Sequence, residues 1–199
     1  MTAPVTTLTV IHSDAAPTAD WGIETAALAA IGARFVPTLA ADEDELIANL
    51  RDADAIVVGL ARITRRVIAA LTRAKVIVRY GVGYDSVDIV AATERGIGVC
   101  NVPDYCTEEV ANHALALLLA VNRRLAEWDT LVRTGGWRGG APPPVGPLYG
   151  QTAGIVGYGR IGRAMAARCR ALGMRVIAAD PYAGPPDADD RIVPLAELV

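Results

Sequence analysis

The sequence predicts an α/β chain of two parallel-sheet domains. Three observations lead there. Short β-branched runs alternate with amphipathic segments along most of the 199 residues. A break at Asn101-Val102-Pro103-Asp104 interrupts that alternation near mid-chain. After the break, Gly157, Gly159 and Gly162 form a G-x-G-x-x-G run between a strand pattern and a helix pattern.

The first half reads in order as follows. Leu8–Ile11 is a buried strand, and Glu24–Ile31 a helix that Gly32 can close. Arg34–Val36 is a short strand. Asp42–Leu50 is a helix whose acidic first turn suits the helix dipole. Ala55–Val58 is an apolar strand, and Thr64 can cap a helix over Arg65–Leu71. Val76–Val78 is a strand, Asp88–Arg95 a helix closed by Gly96, and Gly98–Asn101 the last strand. Repeated β-α-β order implies a parallel sheet covered on both faces.

The second half opens with a long helix from Thr107, read as its cap, to about Val132. Its stretch Ala114–Val121 is apolar on every side, so burial all round is expected in a complete assembly. Gly135–Gly150 is rich in Gly and Pro and reads as a loop or hinge. A strand then begins near Gly154. Ile161, Met165, Cys169 and Leu172 form one apolar helical stripe, and Gly173 ends it. Met174–Ala179 is a second strand, ending in Asp180.

That βαβ unit carries the strongest chemical signal. Gly157 allows the tight turn, Gly159 a close approach of backbone to a pyrophosphate, and Gly162 close helix–strand packing. Tyr158 lies within the turn and is a further candidate cofactor contact. The N–H groups of Arg160 and Ile161 sit at the helix N-terminus and face the anion. Asp180 lies 18 positions after Gly162, where a carboxylate can accept hydrogen bonds from ribose hydroxyls and repel a 2′-phosphate. The expected cofactor is therefore NAD rather than NADP. The alternative is a βαβ unit whose glycines serve turns only.

Composition narrows the classes. Charged residues are 21% and the net charge is -3, which argues against nucleic acid as a main partner. Three cysteines with no C-x-x-C pair suit a reducing, cytoplasmic setting, and no metal site is expected. No signal peptide is visible, and the longest apolar run is far short of a membrane span.

The residues Val76-Ile77-Val78-Arg79-Tyr80-Gly81-Val82-Gly83-Tyr84-Asp85-Ser86-Val87-Asp88, the run Gly96–Pro103, and Thr107-Glu108-Glu109-Val110-Ala111 resemble the D-isomer-specific 2-hydroxyacid dehydrogenases. Within them, the chain looks like the C-terminal-binding-protein-like branch. The resemblance runs from about Arg34 to the end. It implies a flavodoxin-like parallel-sheet substrate domain over residues 1–103, lacking its C-terminal segment, and a partial Rossmann NAD-binding domain over 104–199. It also implies that the backbone at Gly81, Val82 and Gly83 receives the carboxylate of a small 2-keto or 2-hydroxy acid. Arg79 could add a charge-assisted contact, or it is a strand-end surface arginine; Tyr80 is a weaker candidate. Thr107 would sit near the cofactor, a role compatible with capping.

Hydride transfer from a 2-hydroxy acid needs a base for the hydroxyl proton and a cation for the carboxylate or carbonyl. The family is known for an Arg, a Glu and a His in these roles. The resemblance places all three beyond Val199, together with the remaining cofactor-domain strands, so no catalytic residue is expected within this chain. Pro194–Leu198 looks like the next helix beginning. His12 reads as a loop residue after the first strand, and His113 as a packed or interface histidine. Arg133 and Arg138 read as solvated. Leu115, Leu117, Leu118 and Leu119 cannot all be buried by so little protein, so the chain alone is expected to be marginal or aggregation-prone. A full-length form is expected to pair as a homodimer. The reading is thus a fragment of an NAD-dependent oxidoreductase; the alternatives are a non-enzymatic NAD-binding scaffold and an inactive remnant.

Overall fold

The structure is a computed structural model that describes residues 7–137 and 145–199. It divides into two compact units, Met1–Tyr105 and Cys106–Val199.

The first unit alternates strand and helix: β1 (Leu8–His12), α1 (Gly22–Ala29), β2 (Ala33–Pro37), α2 (Glu43–Leu50), β3 (Ala55–Val58), α3 (Arg65–Ala70), β4 (Val76–Arg79), α4 (Ile89–Glu94) and β5 (Gly98–Cys100). The strands form one parallel sheet in the order β2-β1-β3-β4-β5. This is the flavodoxin-like order. Side chains alternate across the pleat. Ile56, Val58 and Ile77 point to one face and meet Leu50, Val67, Ile68 and Ala92 of α2, α3 and α4, all essentially inaccessible to solvent. Ala55, Val57, Val76 and Val78 point to the other face, which forms an apolar trough with Ala27 and Leu28 of α1.

Three helices start on a side-chain cap, of which the sequence predicts the one at Thr64; Asp42 and Asp88 lie one residue outside the helices they were expected to begin. Asp42 accepts from the Glu45 N–H, Thr64 from the Val67 N–H, and Asp88 from the Ala91 N–H. His12 departs from the reading as a loop residue. It is the last residue of β1 and is only 3% exposed. The imidazole is long and apolar enough on its faces to be buried among Trp21, Phe35 and Tyr80.

The second unit holds α5 (Thr107–Asn122), α6 (Leu125–Arg133), β6 (Thr152–Val156), α7 (Arg160–Ala171), β7 (Arg175–Ala179), β8 (Arg191–Ile192) and α8 (Leu195–Leu198). Its parallel sheet runs β6-β7-β8. Two expectations change here. The single helix from Thr107 to Val132 is two helices, because Arg124 takes a left-handed conformation with φ 54°. Arg124 compensates locally by pairing its guanidinium with Glu127, and its carbonyl accepts from the Glu127 and Trp128 amides. Thr107 is not the cap: Cys106 holds that position, and no side chain bonds the first turn. β8 was not expected, since two residues are too few to show a period. The helix expected at Pro194–Leu198 is α8.

α5 buries only Ala111 fully, while Leu117 is 54% exposed and Leu115, Leu118 and Leu119 are half-buried. His113 is exposed rather than packed. Arg133 makes an exposed pair with Asp129 at 2.8 Å. Arg138, and with it the centre of the Gly/Pro-rich stretch, lies outside the described residues. No helix among the described residues is long and apolar enough to cross a membrane.

Candidate functional site

Two groups of residues carry chemistry, one in each unit. In the second unit, β6 ends at Val156 and the chain turns through Gly157 at φ 90°, a region that favours glycine. The Gly157 N–H donates to the Ala179 carbonyl at 2.9 Å, which fixes the turn to β7. A Cβ at Gly162 would lie 2.0 Å from the Gly157 carbonyl oxygen, so only glycine lets α7 approach the turn. Gly159 is the N-cap of α7, and a Cβ there would meet nothing within 4 Å. The space beside Gly159 is therefore open, and the amides of Arg160 and Ile161 begin the helix next to it. The first intrahelical bond is donated by Arg163, which leaves those earlier amides for an anion. The arrangement fits a dinucleotide pyrophosphate.

Asp180 follows β7. One carboxylate oxygen accepts from the Tyr158 N–H and the other from the Tyr182 N–H, each at 2.8 Å. The Tyr182 and Tyr158 amides hold its carboxyl below the usual carboxylate range, so it is ionised at neutral pH. Each oxygen keeps a lone pair for a further donor.

Tyr158 does not sit as a cofactor contact. Its ring is 1% exposed, its hydroxyl donates to the buried Asp190, and its amide is committed to Asp180. Burial and then Asp190 push the Tyr158 hydroxyl above its ordinary pKa. Asp190 also accepts from Arg170. Arg163 stacks 4.5 Å above the Tyr158 ring and pairs with Asp187 at 2.7 Å. This network pins the segment after Asp180 onto α7. Thr107 opens α5, which is bound to α7 through Arg168 donating to Glu108 and Asn112.

In the first unit, β4 delivers Arg79 and the loop that follows. The Tyr80 N–H donates to the Val58 carbonyl at 2.7 Å and the Gly81 N–H to the Arg79 carbonyl at 2.9 Å. A Cβ on Gly81 would fall 1.5 Å from Arg79 Nη1, so the guanidinium lies across the glycine. Arg79 Nε is buried and has no partner among the described residues. Gly81 is buried, Val82 half-buried and Gly83 exposed. Tyr80 turns its hydroxyl to Glu24 at 2.6 Å, and burial with Glu24 pushes its pKa up to about 12. It stays protonated at neutral pH and is held towards α1.

The sequence did not point to Asp14. It lies at the carboxyl ends of β1 and β3, where this strand order places its topological switch point. Its carboxylate accepts from Gly59 at 2.8 Å, Ala61 at 3.0 Å, Leu60, and the Ser13 hydroxyl at 2.7 Å. Burial opposes its charge, but these four donors outweigh burial and lower its pKa. The protein's own carboxylate thus fills that crevice. His12 beside it is kept neutral by burial, against the pull of Asp14 and Glu24, and its Nδ1 accepts from the Asp14 N–H at 3.3 Å. Nothing in the local sequence separates Asp14 from a turn aspartate; only the pairing of β1 with β3 reveals it. Among the described residues no group of three His, Cys, Asp or Glu side chains could hold a metal.

A flavodoxin-like unit joined to a unit with a G-x-G-x-x-G turn defines a two-unit, dinucleotide-binding class of α/β protein. The family description "D-isomer specific 2-hydroxyacid dehydrogenase, catalytic domain" matches residues 22–181, and the chain belongs to that family. It is 47% identical over 139 residues to a glyoxylate reductase of Thermococcus kodakarensis, covering 66% of this chain and 42% of that protein. It is 43% identical over 145 residues to a D-3-phosphoglycerate dehydrogenase of Mycobacterium leprae, covering 72% and 27%. Among solved structures, the TT0316 protein of Thermus thermophilus superposes with a TM-score of 0.81 at 35% identity, covering 96% of this chain and 61% of that one. The D-lactate dehydrogenase of Aquifex aeolicus, complexed with NAD and lactic acid, gives 0.83 at 26% identity, covering 96% and 57%. The chain thus spans well under half the length of these curated relatives.

Proposed function

We propose that this chain supplies the NAD-binding turn and the carboxylate-receiving loop of an oxidoreductase that interconverts a small 2-keto acid and its 2-hydroxy acid. The observation that carries the reading is the turn at Gly157–Gly162: left-handed at Gly157, closed to any side chain at Gly162, open beside Gly159. Bound NAD would supply reversible hydride transfer. Gly159, Arg160 and Ile161 would hold its pyrophosphate through backbone, with Gly157 shaping the turn and Gly162 letting the helix approach it. Asp180 would take the ribose hydroxyls and disfavour a 2′-phosphate by like charge.

Gly81, Val82, Gly83 and Arg79 would hold the acid's carboxylate. Small substrates are favoured because the named relatives include glyoxylate reductases and a lactate-bound dehydrogenase. Those relatives weigh more for a metabolic reductase than for the C-terminal-binding-protein-like branch and its non-enzymatic scaffolds. Neither histidine of this chain is placed as a base. His12 is buried and held neutral, and His113 is exposed on α5, away from the turn in sequence and in element. We place the acid–base groups outside residues 1–199.

A homodimer is our reading of the exposed apolar side chains Val110, Leu117, Val121, Leu125, Trp128 and Val132 on α5 and α6. The cytoplasm is the compartment we assign.

Calorimetric titration of the purified chain with NAD and with NADP tests the cofactor. Saturable NAD binding stronger than NADP binding is expected; none at all would overturn the reading of the turn. NADH oxidation with glyoxylate, pyruvate or hydroxypyruvate should be absent for these 199 residues. Turnover would refute the placement of the acid–base groups.

A further inference from the structure

We infer that Tyr158 is a positioning residue: its buried side chain, anchored by Asp190, holds the backbone amide that aims the Asp180 carboxylate at the cofactor ribose. The inference rests on the reading of Asp180 above and deepens it.

Tyr158 stands between Gly157 and Gly159, residues whose own backbone is the least restricted. The peptide joining Gly157 to Tyr158 carries the N–H that bonds Asp180 at 2.8 Å. A peptide in such a place keeps its direction only if something holds it. The Tyr158 side chain does so, because amide and ring leave the same Cα. The ring is buried and clamped from three directions. Its hydroxyl donates to Asp190. The same oxygen accepts from the Asp187 N–H at 3.2 Å. Arg163 covers one ring face, and is itself fixed by Asp187 and by the Pro185 carbonyl at 2.9 Å.

The identity of the anchor is a second observation. Filling a core needs only the ring, which phenylalanine supplies. Here the hydroxyl meets a carboxylate that is 1% exposed and is offset by Arg170. A buried ion pair adds little stability over apolar packing, while its directional bonds favour one geometry. The placement of Asp190 shows what that geometry serves. Asp180 follows β7 and Asp190 precedes β8, so the two carboxylates stand at the ends of one segment. Tyr158 bonds both ends, Asp180 through its amide and Asp190 through its hydroxyl. The ring is the strut between them.

The test is a double-mutant cycle in calorimetric titrations of the whole chain with NAD and with NADP. Tyr158→Phe keeps the ring and removes the anchored hydroxyl. It should lower the NAD-over-NADP preference about fivefold, the scale of one hydrogen bond. In the Asp180→Asn background the same change should leave the preference where it is, because the charge being aimed is gone. A tyrosine that only fills the core would weaken both cofactors alike in either background, and that result overturns the inference. If Tyr158→Phe fails to fold, amide hydrogen exchange in the parent decides. The Tyr158 N–H should exchange slowly, as a held donor does, and exchange at the rate of an exposed amide overturns the inference. An unchanged preference in Tyr158→Phe overturns the role of Tyr158 and leaves the reading of Asp180 standing. No preference for NAD in the parent overturns both.

Discussion

The two units have similar lengths and very different cores. Among the described residues, the first unit's apolar cluster holds sixteen buried side chains and the second unit's holds six. The cause is topological. Five strands present Ile56, Val58 and Ile77 to three helices, whereas β6 lies at the edge of a three-stranded sheet with Val156 at 70% exposure. The chemistry follows the same division. The turn at Gly157–Gly162 is built from neighbours in sequence. The loop at Gly81–Gly83 is held by Val58, which ends β3, and by Asn101 and Val102, which follow β5. A local device can stand on a thin core; a non-local one needs the deeper sheet.

The sharpest way to break this contrast is in the cores. Leu50→Ala should cost about 2–5 kcal/mol in urea denaturation, because it empties a fully buried site. Leu117→Ala, at a half-exposed site, should stay within about 1 kcal/mol. Equal costs would erase the distinction. Gly162→Ala should cost about 1–3 kcal/mol, since its methyl meets the Gly157 carbonyl, and should abolish NAD binding in a fluorescence titration. A variant that binds NAD normally would show that the turn tolerates displacement.

Asp180→Asn should lower the NAD-over-NADP preference about tenfold by the same titration. An unchanged preference would remove the electrostatic argument for NAD. The fourth prediction concerns pH in the first unit. Burial lowers the pKa of His12 from its unfolded value of 6.5, against Asp14 and Glu24, so the unfolded chain binds more protons below that value. Stability of this unit is then full above about pH 6.5 and falls as pH drops towards the folded pKa. Thermal melts from about pH 7.5 down to about pH 5.5 should show the decline, and His12→Gln should flatten it. The smallest effect separates two threonines. Thr64→Ala should cost about 1 kcal/mol, because Thr64 caps α3, whereas Thr107→Ala should change stability by less than about 0.5 kcal/mol.

Legibility in the sequence follows the range of each interaction. Ala55–Val58, the cap at Thr64, and the glycines that close helices are short-range features and are legible in the sequence. The helix break at Arg124 is not, because arginine carries no left-handed preference and its stabilising partner, Glu127, is an ordinary helix residue. Thr107 has the composition of a cap, a threonine before two glutamates, yet the chain enters the helix one residue earlier. Tyr158 shows the same limit. Its position in the turn suggested contact with a ligand, while Asp190, thirty-two residues on, draws its hydroxyl into the core.

By itself, the sequence determined the α/β alternation, the glycine turn and the acidic residue that follows β7, since each depends on neighbours within one βαβ unit. Only the tertiary structure decided the strand order, the burial of His12, the carboxylate of Asp14 at the switch point and the hold of Asn101 on Val82. Those depend on which strands pair, and strand pairing is a long-range choice that no local spacing records.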